Sequence, residues 1–386
     1  MKRVMLIYGT RPEAIKMAPL VRALDGHLDL QPVVAVTGQH REMLDQVNRL
    51  FDIKPEHDLD LMVHGASLTD LAARTLAATG ELIHGESPDA VVVQGDTTSA
   101  MIAALAAFYN EIPVVHLEAG LRTGDLSAPF PEEGNRRLVA PLARLHLAPT
   151  QTSRRNLLGE SVPSLRVAVT GNTVIDALHT AMSVPVEFGD PAMGELVESG
   201  DRFVLVTAHR RESWDGPMVE AMRGLRRVVE RHGDTRFVVP MHRNPIVRAV
   251  IEPALADIPN VVLTEPMDYH EFTHAMGAAH VLLTDSGGVQ EEAPSLGKPV
   301  LVMRETTERP EAVTAGTVRL VGTDADAVEY SLNRLLEDDV AYRGMANAQN
   351  PYGDGAAAPR CVAAIAHLFG LGERLPDFDP SRPEGG

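Results

Sequence analysis

Three residues stand just after apolar runs that read as β-strands. Asp96 follows the strand-like run Ala90 to Val93, Glu118 follows Pro113 to Leu117, and His209, in the run HRRE, follows Phe203 to Thr207. Glu132 and Glu133 precede a helix-like stretch, Gly134 to Leu142. Carboxylates and a histidine are the side chains that most often give and take protons in a reaction. Each also has a purely structural alternative. Asp96 fits the N-cap of the helix opened by Thr97, Glu118 fits a solvated loop carboxylate, and Glu132 and Glu133 fit first-turn acids favoured by the helix dipole. His209 is one of fifteen histidines.

A second set of residues suits an anion. The stretch DSGGVQEEAPSLGKPVLVMRETTER, Asp285 to Arg309, begins after the strand-like run Val281 to Thr284. Ser286, Gly287 and Gly288 form a turn into a helix, where unpartnered amides carry positive partial charge and glycine lets a ligand approach the backbone. Glu291 and Glu292 lie about one helical turn on, where a carboxylate can accept from ribose hydroxyls behind a phosphate. The alternative is an ordinary βαβ turn with surface glutamates. Arg11, Lys16, Arg122, Arg210, Arg211, Arg243 and Arg309 flank these loops. In a chain of net charge −18, such a concentration would be a local exception suited to a phosphate.

The elements that must hold these residues alternate. Strand-like runs at Val4 to Tyr8, Gln31 to Val36, Ala90 to Val93, Pro113 to Leu117, Leu145 to Ala148 and Arg166 to Val169 are separated by helix-like segments. That spacing predicts a parallel α/β sheet. The pattern pauses over Ser183 to Asp201 and restarts at Phe203, with strands near Phe237, Val261, Val281, Val300 and Val318. The expectation is two Rossmann-like domains, 1–182 and 201–355, with a ligand cleft between them. A late helix spans about 356–369, and the Pro- and Gly-rich tail 371–386 reads as disordered.

Composition excludes several classes. Only 4% of residues are aromatic and the chain is acidic, so nucleic-acid binding is not expected. Cys361 is the single cysteine, which removes internal disulfides and cysteine-based metal clusters. No apolar run reaches membrane-spanning length, and the N-terminal MKRVMLIYGTRPEA lacks a signal-peptide cleavage pattern. The expected location is cytoplasmic. There is no HExxH, no spaced metal-ligand set, and no G-x-G-x-x-G after Val4 to Tyr8, so no metal, nicotinamide or other cofactor is expected.

The stretch Asp285 to Arg309, with GTRPEAIK near the start, GDTTS, HLEAGLRTGD, PEEGNR and HRRES, closely resembles the non-hydrolysing UDP-N-acetylglucosamine 2-epimerases, from about Lys2 to Phe369. The resemblance implies the GT-B architecture, with the last helix crossing back onto the first domain. It implies that Arg11, with Ser286, Gly287 and Gly288, holds the nucleotide diphosphate; Lys16, Arg210, Arg243 and Arg309, among the basic residues flanking the loops, are the further candidates to bind it. Glu292 would bind the ribose and Phe272 would pack by the uracil. Asp96, Glu118, Glu132 and His209 would form the catalytic group. Gln39, His40 and Glu42, in TGQHRE, resemble the contact region for a second UDP-GlcNAc that acts as an activator, and a homodimer is implied. The implied reaction is reversible epimerisation at C2 of UDP-GlcNAc to UDP-ManNAc, by anti elimination of UDP and its re-addition. A hydrolysing epimerase, a GT-B glycosyltransferase and a non-catalytic sugar-nucleotide sensor are the competing readings.

Overall fold

A computed structural model describes residues 1–38, 41–63, 65–210, 214 and 216–381, with the backbone alone at 41 and 42. The chain divides into two compact units, Met1–Thr180 with Tyr352–Gly386, and Ala181–Pro351. The fold is α/β with two parallel, Rossmann-like sheets, as the sequence pattern predicts.

The first unit is built on β1 (Lys2–Tyr8), β2 (Leu30–Val36), β3 (His57–Asp58), β4 (Ala90–Gln94), β5 (Val114–Leu117), β6 (Ala143–Ala148) and β7 (Val167–Val169). These align in parallel in the order β3-β2-β1-β4-β5-β6-β7. Val4 to Tyr8 are at most 1% exposed, the continuous apolar run expected of a strand covered on both faces. The helices are α1 (Arg11–Asp25), α2 (Arg41–Leu50), α3 (Leu68–Glu86), α4 (Thr98–Tyr109), α5 (Glu132–Leu142), α6 (Gln151–Gly159) and α7 (Thr173–Ser183). In α4 the alanines at 100, 103, 104, 106 and 107 are almost fully buried, and their small size lets this apolar helix pack closely.

The second unit carries α8 (Pro191–Ser199) before β8 (Phe203–Thr207). Then follow α9 (Gly216–Arg231), β9 (Arg236–Pro240), α10 (Pro245–Leu255), β10 (Val261–Thr264), α11 (Tyr269–Ala278), β11 (Val281–Thr284), α12 (Gly287–Glu292), β12 (Val300–Val302), α13 (Pro310–Ala315), β13 (Val318–Leu320), α14 (Ala325–Glu337) and α15 (Asp339–Ala346). The sheet order is β10-β9-β8-β11-β12-β13. Gly224 of α9 packs against Ala325, whose carbonyl oxygen would lie 2.4 Å from an added Cβ, so a larger residue would force α9 away.

The last helix, α16 (Ala357–Leu368), belongs to the first unit, where Asp176 accepts the backbone N–H groups of Ala357 and Ala358 at its N-terminus. Two expectations need correcting. The stretch 183–201 is more than a joining segment: Asp190 caps α8, and Met193 and Leu196 are buried. The tail after Leu371 is not disordered as far as Ser381. Asp377 accepts the Val169 N–H at 3.0 Å, and the Phe378 N–H donates to the Val169 carbonyl at 2.7 Å. The Phe378 ring is 4% exposed and lies over the Arg360 guanidinium. Low apolar content misleads here because β7 is an edge strand with unpaired groups, and one aspartate and one phenylalanine suffice to dock on it.

Candidate functional site

Each sheet reverses its strand order once, between β1 and β4 in the first unit and between β8 and β11 in the second. The loops after such strands diverge and leave room for a ligand. The candidate residues gather at these two places.

In the first unit, the loop after β1 is a capped helix start. Thr10 caps α1 and forms a capping box with Glu13. Glu13 is 1% exposed and accepts from the Gly9 and Thr10 N–H groups and from Thr97 Oγ1 at 2.7 Å. It therefore ties the loop after β1 to the loop after β4, and burial raises its pKa against the lowering effect of those hydrogen bonds. Arg11 occupies the first turn of α1. Thr97, not Asp96, caps α4, which removes the capping explanation for Asp96. The Asp96 carboxylate instead pairs with Arg136 at 2.7 Å.

Glu118 has φ +62°, a left-handed backbone that costs a non-glycine residue strain and is concentrated at functional sites. Its carboxylate is bound on every side: Lys16 Nζ pairs with Oε1, Gln94 Nε2 donates to Oε2, and Asn172 Nδ2 donates to Oε1 at 3.0 Å. The solvated-loop reading thus fails, since Glu118 is 9% exposed. Lys16, expected beside a phosphate, is paired with this carboxylate. Gly120, two residues on, has φ +95°, and a Cβ there would lie 2.3 Å from the Ser153 carbonyl oxygen. Only glycine fits that turn.

The two glutamates that open α5 separate. Glu133 is fully buried and accepts from the Thr123 and Gly124 N–H groups, Arg136 and Arg137. Burial would raise its pKa, but those donors outweigh it and hold the carboxyl below its usual value. Glu132 differs: its Oε2 is buried and has no hydrogen-bond partner among the described residues.

In the second unit, Asp285 directly follows β11 and is 1% exposed. Its Oδ2 accepts from the backbone N–H groups of His209 at 2.7 Å and Arg210 at 2.8 Å. His209 Nδ1 lies 2.9 Å from Oδ1. Ser286 precedes α12 without capping it through its side chain. At Gly287 an added Cβ would lie 2.6 Å from Arg309 Nη1, so the guanidinium lies against the turn backbone. Arg309 is itself engaged: it bonds Glu291 at 2.7 Å and Glu308 at 2.5 Å. Burial would raise the Glu308 pKa, but Arg309, Arg304 and Arg210 bring it down to about 2. Glu292 is not a surface glutamate: it is 7% exposed and accepts from the Tyr269 hydroxyl at 2.8 Å.

Of the other expected residues, Arg210 is part-buried with its Nε lacking a partner among the described residues. Phe272 is half-buried on α11, and Arg243 is exposed after β9. Gln39, His40 and the Glu42 side chain lie outside the described residues. Sequence reasoning missed the residues that hold the candidates in place: Gln94, Asn172, Arg136 and Asp285. A polar residue at the end of an otherwise apolar strand was the available signal for Gln94 in AVVVQ.

A family model described as UDP-N-acetylglucosamine 2-epimerase matches residues 22–366. The chain is 50% identical over 369 residues to the UDP-N-acetylglucosamine 2-epimerase of Escherichia coli K12, covering 94% of this chain and 98% of that one. Among solved structures, it is similar to Staphylococcus aureus MnaA in a co-structure with UDP, with TM-score 0.90 and 45% identity, covering 98% of this chain and all of that one. It is also similar to the Neisseria meningitidis UDP-GlcNAc 2-epimerase bound to UDP-GlcNAc, with TM-score 0.87 and 45% identity, covering 95% of this chain and 100% of that one. Among the described residues, no helix is long and apolar enough to cross a membrane.

Proposed function

Because the chain belongs to the UDP-N-acetylglucosamine 2-epimerase family, we propose that it is a non-hydrolysing member that interconverts UDP-GlcNAc and UDP-ManNAc. A base takes the C2 proton, the C1–O bond to UDP breaks, and a C1=C2 double bond forms, giving 2-acetamidoglucal and UDP. A proton then adds to the opposite face of C2, and the UDP oxygen re-forms the bond to C1. Two face-specific proton-transfer groups are needed, and Glu118, Glu132, Asp96 and His209 are assigned to that work. The Ser286–Gly287–Gly288 turn, Arg11, Arg210, Arg243 and Arg309 are assigned to the diphosphate, whose negative charge grows as it departs. Glu292 takes the ribose hydroxyls and Phe272 the uracil. Lys16 is assigned to orienting Glu118 as well as to charge balance. A homodimer, a cytoplasmic location and a second UDP-GlcNAc acting as activator through Gln39, His40 and Glu42 complete the reading.

The observation that favours epimerisation over glycosyl transfer is the set of carboxylates at the β1/β4 reversal, one of which, Glu132, has a buried oxygen without a partner among the described residues. A transferase with the same nucleotide site would not need that concentration of acid/base groups. Incubation with UDP-GlcNAc alone in D2O, followed by proton NMR, tests the proposal. The expected product is UDP-ManNAc carrying deuterium at C2, formed without added metal or nicotinamide. Free N-acetylmannosamine and UDP would mean a hydrolysing enzyme. No reaction without an acceptor, or complete retention of the C2 protium, would overturn the elimination route.

A further inference from the structure

We propose that Asp285 is a positioning residue that keeps the His209 ring proton on Nδ1 and leaves Nε2 as the nitrogen that exchanges a proton with substrate. The proposal rests on the reading of His209 as an acid/base group.

Two adjacent parallel strands create the arrangement. Thr207 of β8 lies opposite Thr284 of β11, and their hydroxyls are bonded at 2.6 Å. The ladder continues one step further, with the Asp285 N–H donating to the Thr207 carbonyl at 3.2 Å. Asp285 is thereby set against the chain as it leaves β8. Its Oδ2 takes both N–H groups of the departing backbone, at His209 and Arg210, while the buried Oδ1, which makes no regular hydrogen bond among the described residues, has His209 Nδ1 2.9 Å away. The Trp214 indole N–H donates to the His209 carbonyl at 3.2 Å and holds the same turn from its other side.

The 2.9 Å approach of Nδ1 to a buried oxygen that lacks a regular hydrogen bond among the described residues decides which tautomer suits the pair. Burial would raise the Asp285 pKa, but His209 and the two backbone amides outweigh it and hold the carboxyl below its ordinary value. An ionised carboxylate can only accept, so a neutral His209 facing it must carry its hydrogen on Nδ1. Nε2 then has a free lone pair. The His209 side chain is 39% exposed while that of Asp285 is 2% exposed, so the pair has a fixed buried end and an accessible end. The His242 ring lies beside that of His209, with centres 6.0 Å apart and planes 26° from parallel. The same aspartate directly precedes Ser286, so one residue begins the anion-binding turn and orients the histidine.

Long-range proton–nitrogen correlation spectra of the 15N-labelled protein, in the pH range where His209 is neutral, read the tautomer directly. His209 is assigned by the signals lost in His209→Asn. The expected spectrum has a protonated Nδ1 and a bare Nε2. In Asp285→Asn the amide nitrogen must face the ring, so the proton moves to Nε2. Turnover should then fall by about 10²- to 10⁴-fold, the range for a misplaced acid/base tautomer, with KM changed by less than about threefold. A wild-type ring protonated on Nε2 overturns the proposal, and that spectrum does not depend on the variant folding. A swapped tautomer with unchanged turnover also overturns it. The failure of the underlying reading is a separate result: His209→Asn with normal turnover would remove His209 from the chemistry whatever its tautomer.

Discussion

At the β1/β4 reversal of the first unit, the central charged group is a carboxylate held by neutral amides and one lysine: Glu118, with Gln94, Asn172 and Lys16. At the β8/β11 reversal of the second, the arginines outnumber what a single acid requires, and glutamates restrain them: Arg309 with Glu291 and Glu308, Arg304 with Glu308. The topology is alike and the charge is arranged in opposite ways. Amide donors fix the Glu118 carboxylate in space, and Lys16 balances its charge. Buried glutamates keep guanidinium groups extended and desolvated, which suits an anion that arrives already charged. On the proposed reading, the acid/base carboxylates lie in the first unit and the glycine turn with its arginines in the second, while His209 and Arg11 carry each role across.

Removing Arg309 is the most severe way to break this contrast. Glu291 is 1% exposed and Glu308 is largely buried, so Arg309→Met takes a charged partner from both carboxylates and leaves Glu308 with Arg304 at 3.0 Å and Arg210 at 3.7 Å. A broken buried pair costs about 3–5 kcal/mol. Trp214, the single tryptophan, lies in the second unit, so its fluorescence during urea unfolding reports that unit. The transition should move to lower urea in Arg309→Met and recover in part when Glu308→Gln is added. An unchanged transition would mean that the cluster is not restraining charge.

Glu118→Gln tests the other side of the contrast. Glutamine keeps the size and one acceptor oxygen, which can still take Asn172 and Lys16, but it cannot take a proton. Turnover should drop by about 10²-fold or more, equivalent to about 2.7 kcal/mol of barrier, while calorimetry finds UDP affinity unaltered. Near-normal turnover with C2 exchange would remove Glu118 from proton transfer and shift the assignment to Asp96 and Glu132.

The sequence exposed the placement of these residues more readily than their partnerships. Strand periodicity located Asp96, Glu118, His209 and the Ser286 turn at strand ends, because buried parallel strands are continuous apolar runs whose ends are sharp. It could not reveal which of two adjacent glutamates was structural. Glu132 and Glu133 are both at the start of α5, yet one helical step turns Glu133 into four donors and leaves an oxygen of Glu132 unpartnered among the described residues. Nor could it reveal that Lys16 reaches a carboxylate 102 positions away, since long-range pairing depends on how β1, β4 and β5 align. Asp285 stood inside the quoted motif but was overshadowed by the glycines after it, because its role exists only across β8 and β11.

The smallest expected effect concerns acid stability, and it sharpens the contrast through histidine. In the first unit His116 and His146 sit opposite each other on β5 and β6, each 1% exposed. Burial lowers the His116 pKa to about 4 and the His146 pKa to about 3, against 6.5 when unfolded. In the second unit, the largest such shift is at His280, lowered to about 4 by burial, and its ring is less enclosed. A histidine with a depressed folded pKa contributes stability above the unfolded pKa. That contribution is lost as pH falls from 6.5 towards the folded value, because the unfolded chain binds the proton first. Each such proton changes stability by about 1.4 kcal/mol per pH unit. The buried carboxyls Glu13 and Asp176 are raised by burial and act in the opposite direction at lower pH, so the slope must be read by difference. His146→Gln removes one titrating group, and the pH dependence of first-unit unfolding between about pH 6 and 4.5, followed by hydrogen exchange of the β5 and β6 amides, should flatten by about 1.4 kcal/mol per pH unit whatever the variant does to absolute stability. Trp214 should meanwhile report an unchanged slope for the second unit. If the first-unit slope is the same with and without His146, the buried histidine pair does not govern the acid response, and His116 alone or the carboxylates must account for it.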